Sequence, residues 1–395
     1  MIEKICNILT FSLLFLFFLF YNVGRIFGLE RGYLSVLALL GVFALLHFFR
    51  NPNIILGWRK WLSWQFVLIS FMTLSLLWAI NPLSLNYIIM MLILVLKVGI
   101  VAILCNTESK VKSLLLILSL VGFTVFIVLL KTDNLYAYRT TQITFLDNPN
   151  TFGLLCCIYI TGAFYWFVQS TKKWQKILFF SLVLICLYMI MMTGGRKFLL
   201  FTFILVLSYY FFKKRFTIRH LLVAIILGYL MVNGLQYLMM KIPTLYDAIG
   251  YRFDTTLYYG TIEGSNDQKM LMKAALRAWI ENPIVGLGPG GFQTYNQELG
   301  NLYSHSNYTE LLANFGIIGF IIYYSVYIYC IKIFIKYRLR LDKYGMFLFA
   351  LLVSIIFLET FSITYNQTAY IPLFIMFITT YCFKLHKKYK HEPNI

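Results

Sequence analysis

The sequence predicts an all-α polytopic membrane protein of about twelve transmembrane helices, with one large extracytoplasmic loop before the tenth span. Three observations predict it. Of the 395 residues, 60% are hydrophobic and only 12% charged, whereas a water-soluble domain of this size carries about 25% charged residues. Apolar runs of span length recur along the whole chain, and at roughly 20 residues per crossing a dozen of them leave room for one sizeable loop. The 34 Lys and Arg outnumber the 15 Asp and Glu, a net charge of +19, and these cations fall between the runs in a pattern that membrane topology explains.

The runs lie at 5–23, 33–49, 62–80, 87–105, 113–130, 151–168, 177–192, 198–212, 220–238, 311–331, 346–362 and 370–383, each bounded by polar or charged residues. The first has a weak basic start and no convincing small-residue cleavage site between Tyr21 and Gly28, so it reads as a retained anchor. Very short links join 177–192 to 198–212 and 346–362 to 370–383, as in helical hairpins. Two outer segments stand out for length: Lys131 to Asn150, and Met239 to about Glu310, the only stretch large enough for an extramembrane subdomain (239–310) within the single domain 1–395.

With the N-terminus inside, the inner loops and tails carry 22 cations against four acids (Glu3, Glu108, Asp342 and Glu392). The outer side carries 11 of each when Glu359, near the outer end of its span, is counted there, and Lys97 lies within a span. The excess is therefore that of the positive-inside rule, and no nucleic-acid partner is needed to explain it. All seven cysteines (Cys6, Cys105, Cys156, Cys157, Cys186, Cys330 and Cys382) fall within or at the ends of runs, a placement that indicates neither a disulfide framework nor a zinc cluster. Lys97 and Glu359 are charges inside predicted spans, which by default are functional or paired; Glu359, near the outer end, could snorkel.

Gly286-Leu287-Gly288-Pro289-Gly290-Gly291 spells a dinucleotide fingerprint by letter but follows no strand, contains a proline and lacks an acidic ribose partner. It reads instead as a breaker loop that lets the backbone approach a ligand. No Asp-x-Asp occurs, so a metal-held nucleotide sugar is not expected, and neither a metal nor a soluble cofactor is called for.

The most informative local stretch is Ser304-His305-Ser306-Asn307-Tyr308-Thr309-Glu310, which runs directly into the tenth span. Asn307 and Glu310 have capping-box spacing, which leaves His305 just outside the helix, where the positive helix end disfavours an imidazolium and a neutral ring could act as a base. The Gly194-Gly195-Arg196-Lys197 turn places two cations on the side the positive-inside rule disfavours, as interface anchors or as an anion site.

His305, Ser306, nine residues, Gly316, two residues and Gly319 form a pattern that resembles the signature of the O-antigen ligase and polymerase family of bacterial membrane glycosyltransferases. Further pieces resemble it in the same order: Asn148-Pro149-Asn150 with Gly153, Thr193-Gly194-Gly195-Arg196-Lys197, and Asn282-Pro283-Ile284-Val285-Gly286-Leu287-Gly288-Pro289-Gly290 with Phe292. At the Gly-Gly-Arg turn Gly195 replaces the family's usual Ser, and the stretch Gln268 to Leu276 departs further, with Met272 in place of a Trp and no Arg before it.

The resemblance implies a multi-pass protein of the bacterial cytoplasmic membrane, active on the extracytoplasmic side. Its substrates would be a glycan donor and an acceptor linked to undecaprenyl pyrophosphate, and a flippase and a chain-length regulator would be its partners. It implies His305 as general base and Arg196 at the lipid pyrophosphate, where a planar guanidinium suits phosphate oxygens. Lys197 and Asn307 join them as substrate-binding candidates. Lys269, Lys273, Arg252 and Arg277 compete for the second pyrophosphate cation, with Arg252 and Arg277 preferred as guanidinium groups. Polymerisation of repeat units is the favoured activity; ligation of finished glycan to another acceptor, and transport of the lipid-linked oligosaccharide, are the alternatives.

Overall fold

The computed structural model describes residues 2–23, 31–131, 149–193, 196–212, 237, 241, 265–365 and 370–390. Among them there is no strand. Eleven of the twelve apolar runs are helical; the ninth, 220–238, lies outside the described residues apart from Tyr237, as do most of 239–264. In chain order the helices are α1 (Ile2–Val23), α2 (Gly32–Arg50), α3 (Arg59–Leu74), α4 (Ser84–Leu104), α5 (Glu108–Lys131), α6 (Pro149–Gln169), α7 (Lys173–Met192) and α8 (Arg196–Phe212). They continue as α9 (Ser265–Glu281), the short α10 (Gly291–Tyr295), α11 (Asn307–Lys336), α12 (Lys343–Leu358) and α13 (Tyr370–Tyr389). Seven of the described helices are long and apolar enough to cross a membrane, and shorter apolar helices accompany them at Cys6–Tyr21, Lys197–Phe212 and Lys343–Leu358. The protein is an all-α polytopic membrane protein.

The chain divides into two compact units, Met1–Arg50 with Leu104–Thr261, and Asn51–Ile103 with Ile262–Ile395. In the first, α6 is the central helix and packs against α5, α7 and α8. Its neighbours approach closely because small residues face them: a Cβ on Gly162 would stand 2.2 Å from the Leu115 carbonyl oxygen, and Trp166 Nε1 donates to the Lys112 carbonyl at 3.1 Å. Helices in a bilayer gain little from apolar burial against one another, so such close backbone packing supplies the cohesion.

In the second unit α11 packs against α3, α9 and α13. Trp64 Nε1 on α3 donates to the Ile322 carbonyl at 2.8 Å, and the Arg59 guanidinium lies 5.0 Å above the Phe383 ring. Asp342 caps α12 by accepting from the Gly345 N–H at 2.8 Å, satisfying one of the donors that every helix start leaves open. The amphipathic α9 buries Leu271, Ala275 and Ala278, the two alanines in one cluster with Ala313, Leu287 and Phe292, and exposes Lys269, Lys273 and Arg277 at four-residue spacing.

Three sequence expectations need correction here. The tenth span begins at Asn307 and is two helices meeting at Gly316, whose φ of 60° and ψ of −165° are non-helical. The capping box does not form: Ser306 is the N-cap without a side-chain bond, and Glu310 reaches elsewhere. Glu359 does not snorkel; it follows α12 as the C-cap and is fully buried.

Candidate active site at the start of the tenth span

His305 lies one residue before the N-cap of α11 and has φ of 61°, a left-handed backbone that side chains with a Cβ rarely adopt. Such strain persists only where neighbours fix it, and here they do. The Ser304 N–H donates to Glu310 Oε2 at 2.8 Å, Ser304 Oγ donates to the Ser306 carbonyl at 2.9 Å, and Thr309 Oγ1 donates to Ser304 Oγ at 3.0 Å. Ser304, Ser306, Thr309 and Glu310 are all buried, whereas His305 between them is half-buried with its ring 4.4 Å from that of Tyr303. The chain thus anchors both flanks of the histidine and leaves the imidazole partly accessible.

Glu310 is fixed in turn. Asn314 Nδ2 donates to Glu310 Oε1 at 3.1 Å and approaches the Tyr365 hydroxyl at 3.5 Å, while Asn314 Oδ1 accepts from the Phe292 N–H at 2.8 Å. One amide therefore ties the start of α10 to the carboxylate that holds the His305 turn. Nothing in the sequence reading singled out Asn314; the available signal was an amide within an apolar run, four residues after an acid, a spacing that lets the two meet on a helix.

The glycine-rich loop approaches its own chain. Where α11 breaks at Gly316, the Leu287 and Gly288 N–H groups donate to the carbonyls of Ala313 and Asn314 at 3.0 and 2.8 Å. The Ile317 and Ile318 N–H groups donate to the carbonyls of Pro283 and Ile284 at 2.9 and 3.2 Å. The break exposes two acceptors and two donors, and the loop supplies a partner for each, as buried backbone groups require. A Cβ on Gly286 would stand 2.5 Å from backbone atoms of Asn314 and Phe315, so the close approach expected for a ligand is used by α11. The far side of the loop meets the α3–α4 link: the Ile80 N–H donates to the Leu287 carbonyl at 3.2 Å, Asn81 Nδ2 to the Gly290 carbonyl at 2.7 Å and Ser84 Oγ to the Pro289 carbonyl at 2.8 Å. The Tyr87 hydroxyl bonds Gln293.

Asn307 is fully buried and fixes the segment after α12: its Oδ1 accepts from the Thr364 and Tyr365 N–H groups at 3.1 and 3.2 Å, and its Nδ2 donates to the Tyr324 hydroxyl at 3.2 Å. Its own N–H donates to the Glu359 carbonyl at 2.8 Å. The Glu359 carboxylate accepts from Tyr323, Tyr324, Tyr327 and Thr364 hydroxyls at 3.1, 2.9, 2.8 and 2.7 Å. Four hydroxyl donors offset the cost of burying that charge.

Of the other sequence candidates, Arg277 is exposed on α9, and Glu281, one turn on, accepts from the Tyr295 hydroxyl at 2.8 Å. Arg196 is the first residue of α8, with its side chain outside the described residues; Lys197 follows, its ammonium 5.2 Å from the Phe198 ring centre. Arg252 lies outside the described residues. Arg196 and Lys197 belong to the first unit, and Arg277, His305 and Asn307 to the second.

Residues 180–324 match a family model described as O-antigen ligase. That segment is similar to the O-antigen ligase family. It runs from within α7, through the Gly-Gly-Arg turn, to just beyond the break in α11, and so contains Arg196, Lys197, Arg252, Arg277, His305 and Asn307. No curated protein matches the chain. The chain is thus a polytopic membrane protein of which residues 180–324 are similar to O-antigen ligases.

Proposed function

We propose that this enzyme polymerises undecaprenyl-pyrophosphate-linked oligosaccharide repeat units into a surface polysaccharide at the outer face of the bacterial cytoplasmic membrane. The observation that carries the reading is the His305 turn: a half-buried imidazole on a left-handed backbone, fixed on both sides by buried Ser304, Ser306 and Glu310, inside the family segment. In this reading His305 takes the proton of an acceptor sugar hydroxyl. The hydroxyl oxygen forms a bond to the anomeric carbon of the donor while the bond from that carbon to the lipid pyrophosphate breaks, with inversion. Arg196, with Lys197 and a second cation from Arg252 or Arg277, stabilises the charge gathering on the leaving diphosphate. Asn307 acts by holding the start of α11 to the segment at Thr364 and Tyr365. A flippase supplying the lipid-linked units and a chain-length regulator are the proposed partners. The family is described by ligation, so transfer of finished glycan to a different acceptor is the second reading.

Glycan chain length made by purified full-length protein from lipid-linked repeat units tests both readings. Growing chains support polymerisation, and a single transfer to an added acceptor supports ligation. The His305→Ala variant should insert normally and lose about 10²- to 10⁴-fold in rate, the contribution of a general base. Normal products from it would return His305 to a structural role. Arg196→Lys should be impaired less than Arg196→Ala, which should lose roughly 10²- to 10³-fold, and activity should persist in chelator. Equal rates for all three Arg196 forms, or activity lost to chelator and restored by a divalent ion, would overturn the leaving-group assignment.

A further inference from the structure

We propose that a cavity at the basic ends of α1, α2 and α5 binds the phosphate headgroup of an anionic phospholipid, a site separate from the sugar-transfer chemistry. The cavity measures about 110 Å³, well above the roughly 10–15 Å³ that one water needs. Its lining is of two kinds: His47, Arg50 and Lys110 supply polar and cationic groups, and Phe11, Phe43 and Leu46 supply apolar surface. An amphiphile with a negative head and a hydrocarbon tail matches both, whereas a free phosphate matches only the first. By the charge distribution this is the inner end of the helices, where basic pockets between spans meet anionic headgroups.

Two details separate this cavity from an ordinary row of interface charges. His47 and Arg50 lie in the last turn of α2, where cations are favoured by the helix carbonyls, so they alone would have a local explanation. Lys110 lies in the first turn of α5, at the positive helix end, where a cation is disfavoured and an anion is favoured. The nearby acid Glu108 is engaged by Lys112 at 2.5 Å. In addition, Asn106 Nδ2 lies 3.3 Å from His47 Nε2, a contact that holds the ring at the cavity wall.

The test is retention of phosphatidylglycerol and of phosphatidylcholine by the purified full chain, read by native mass spectrometry. Wild-type protein should retain phosphatidylglycerol selectively. Arg50→Gln with Lys110→Gln should lower that retention roughly tenfold or more, and Lys172→Gln with Lys173→Gln, an equal charge change on an exposed link, should leave it unchanged. Cys6→Phe, which fills the cavity while keeping every cation, should lower it as well. Wild-type retention by the Arg50 and Lys110 double variant, or equal loss in the Lys172 and Lys173 control, would overturn the site. Displacement of phosphatidylglycerol by excess inorganic phosphate would overturn the lipid assignment and make this a small-anion site.

Discussion

At the scale of single residues, Asn314 does the most for the candidate site while touching no part of the His305 ring in the described bonds. Its three contacts join the Phe292 N–H, Glu310 and Tyr365, and each partner is buried. Replacing Asn314 with Leu keeps the branched heavy-atom outline but leaves a buried N–H and a carboxylate short of partners, at a cost of about 1–3 kcal/mol for each. We expect Asn314→Leu to lower the melting temperature in detergent and to reduce glycan transfer, because the Glu310 carboxylate that holds the Ser304 N–H is freed. An unchanged melting temperature and rate would remove Asn314 from the positioning network. His305 itself was legible in the sequence, from its place before an apolar run and its spacing to two glycines; Asn314 was not, because its partners include a backbone N–H 22 residues earlier and a tyrosine 51 residues later.

At the scale of elements, the break in α11 and the loop at 282–290 form one construction. Gly316 has backbone angles essentially reserved for glycine, and a Cβ there would stand 2.3 Å from the Ile284 carbonyl oxygen. Gly316→Ala must therefore shift the loop or straighten the helix, and either choice disrupts the four backbone hydrogen bonds between them. Gly300 offers a control: its φ of 79° is also left-handed, but a Cβ would meet nothing within 4 Å. Gly300→Ala should cost only the backbone strain, about 1–2 kcal/mol, and Gly316→Ala distinctly more, with loss of transfer activity. Thermal melts of the two variants in the same detergent make the comparison, and equal shifts would mean that the loop contact does not hold the break.

For the whole molecule, the charge distribution sets a topology. Residues 241–305 should lie outside, and the links at 172–176, 213–219 and 332–343 inside, because the latter carry most of the excess of Lys and Arg. On a background without native cysteines, Asn266→Cys should react with an impermeant thiol reagent added to intact cells and Lys214→Cys should not. The reverse labelling would invert the protein and remove His305 from the outer face.

The sequence by itself determined the class of structure, because a span announces itself through an unbroken local run of apolar residues and eleven such runs are helices here. It also determined where the His305 turn begins, since the residues that end a loop and start a helix are neighbours in the chain. Tertiary structure decided what the polar residues near that turn do. Glu310 had the spacing of a capping residue but accepts from Ser304 and Asn314, and Glu359 looked like a charge near an interface but is enclosed by hydroxyls of Tyr323, Tyr324, Tyr327 and Thr364. Tertiary structure also turned one apolar run into two helices at Gly316, because backbone groups from residues 283–288 replace the hydrogen bonds lost at the break. The physical reason is the range of each interaction: hydrophobic patterning and capping are written within a few neighbouring residues, whereas a buried polar group takes whatever partner packing brings to it.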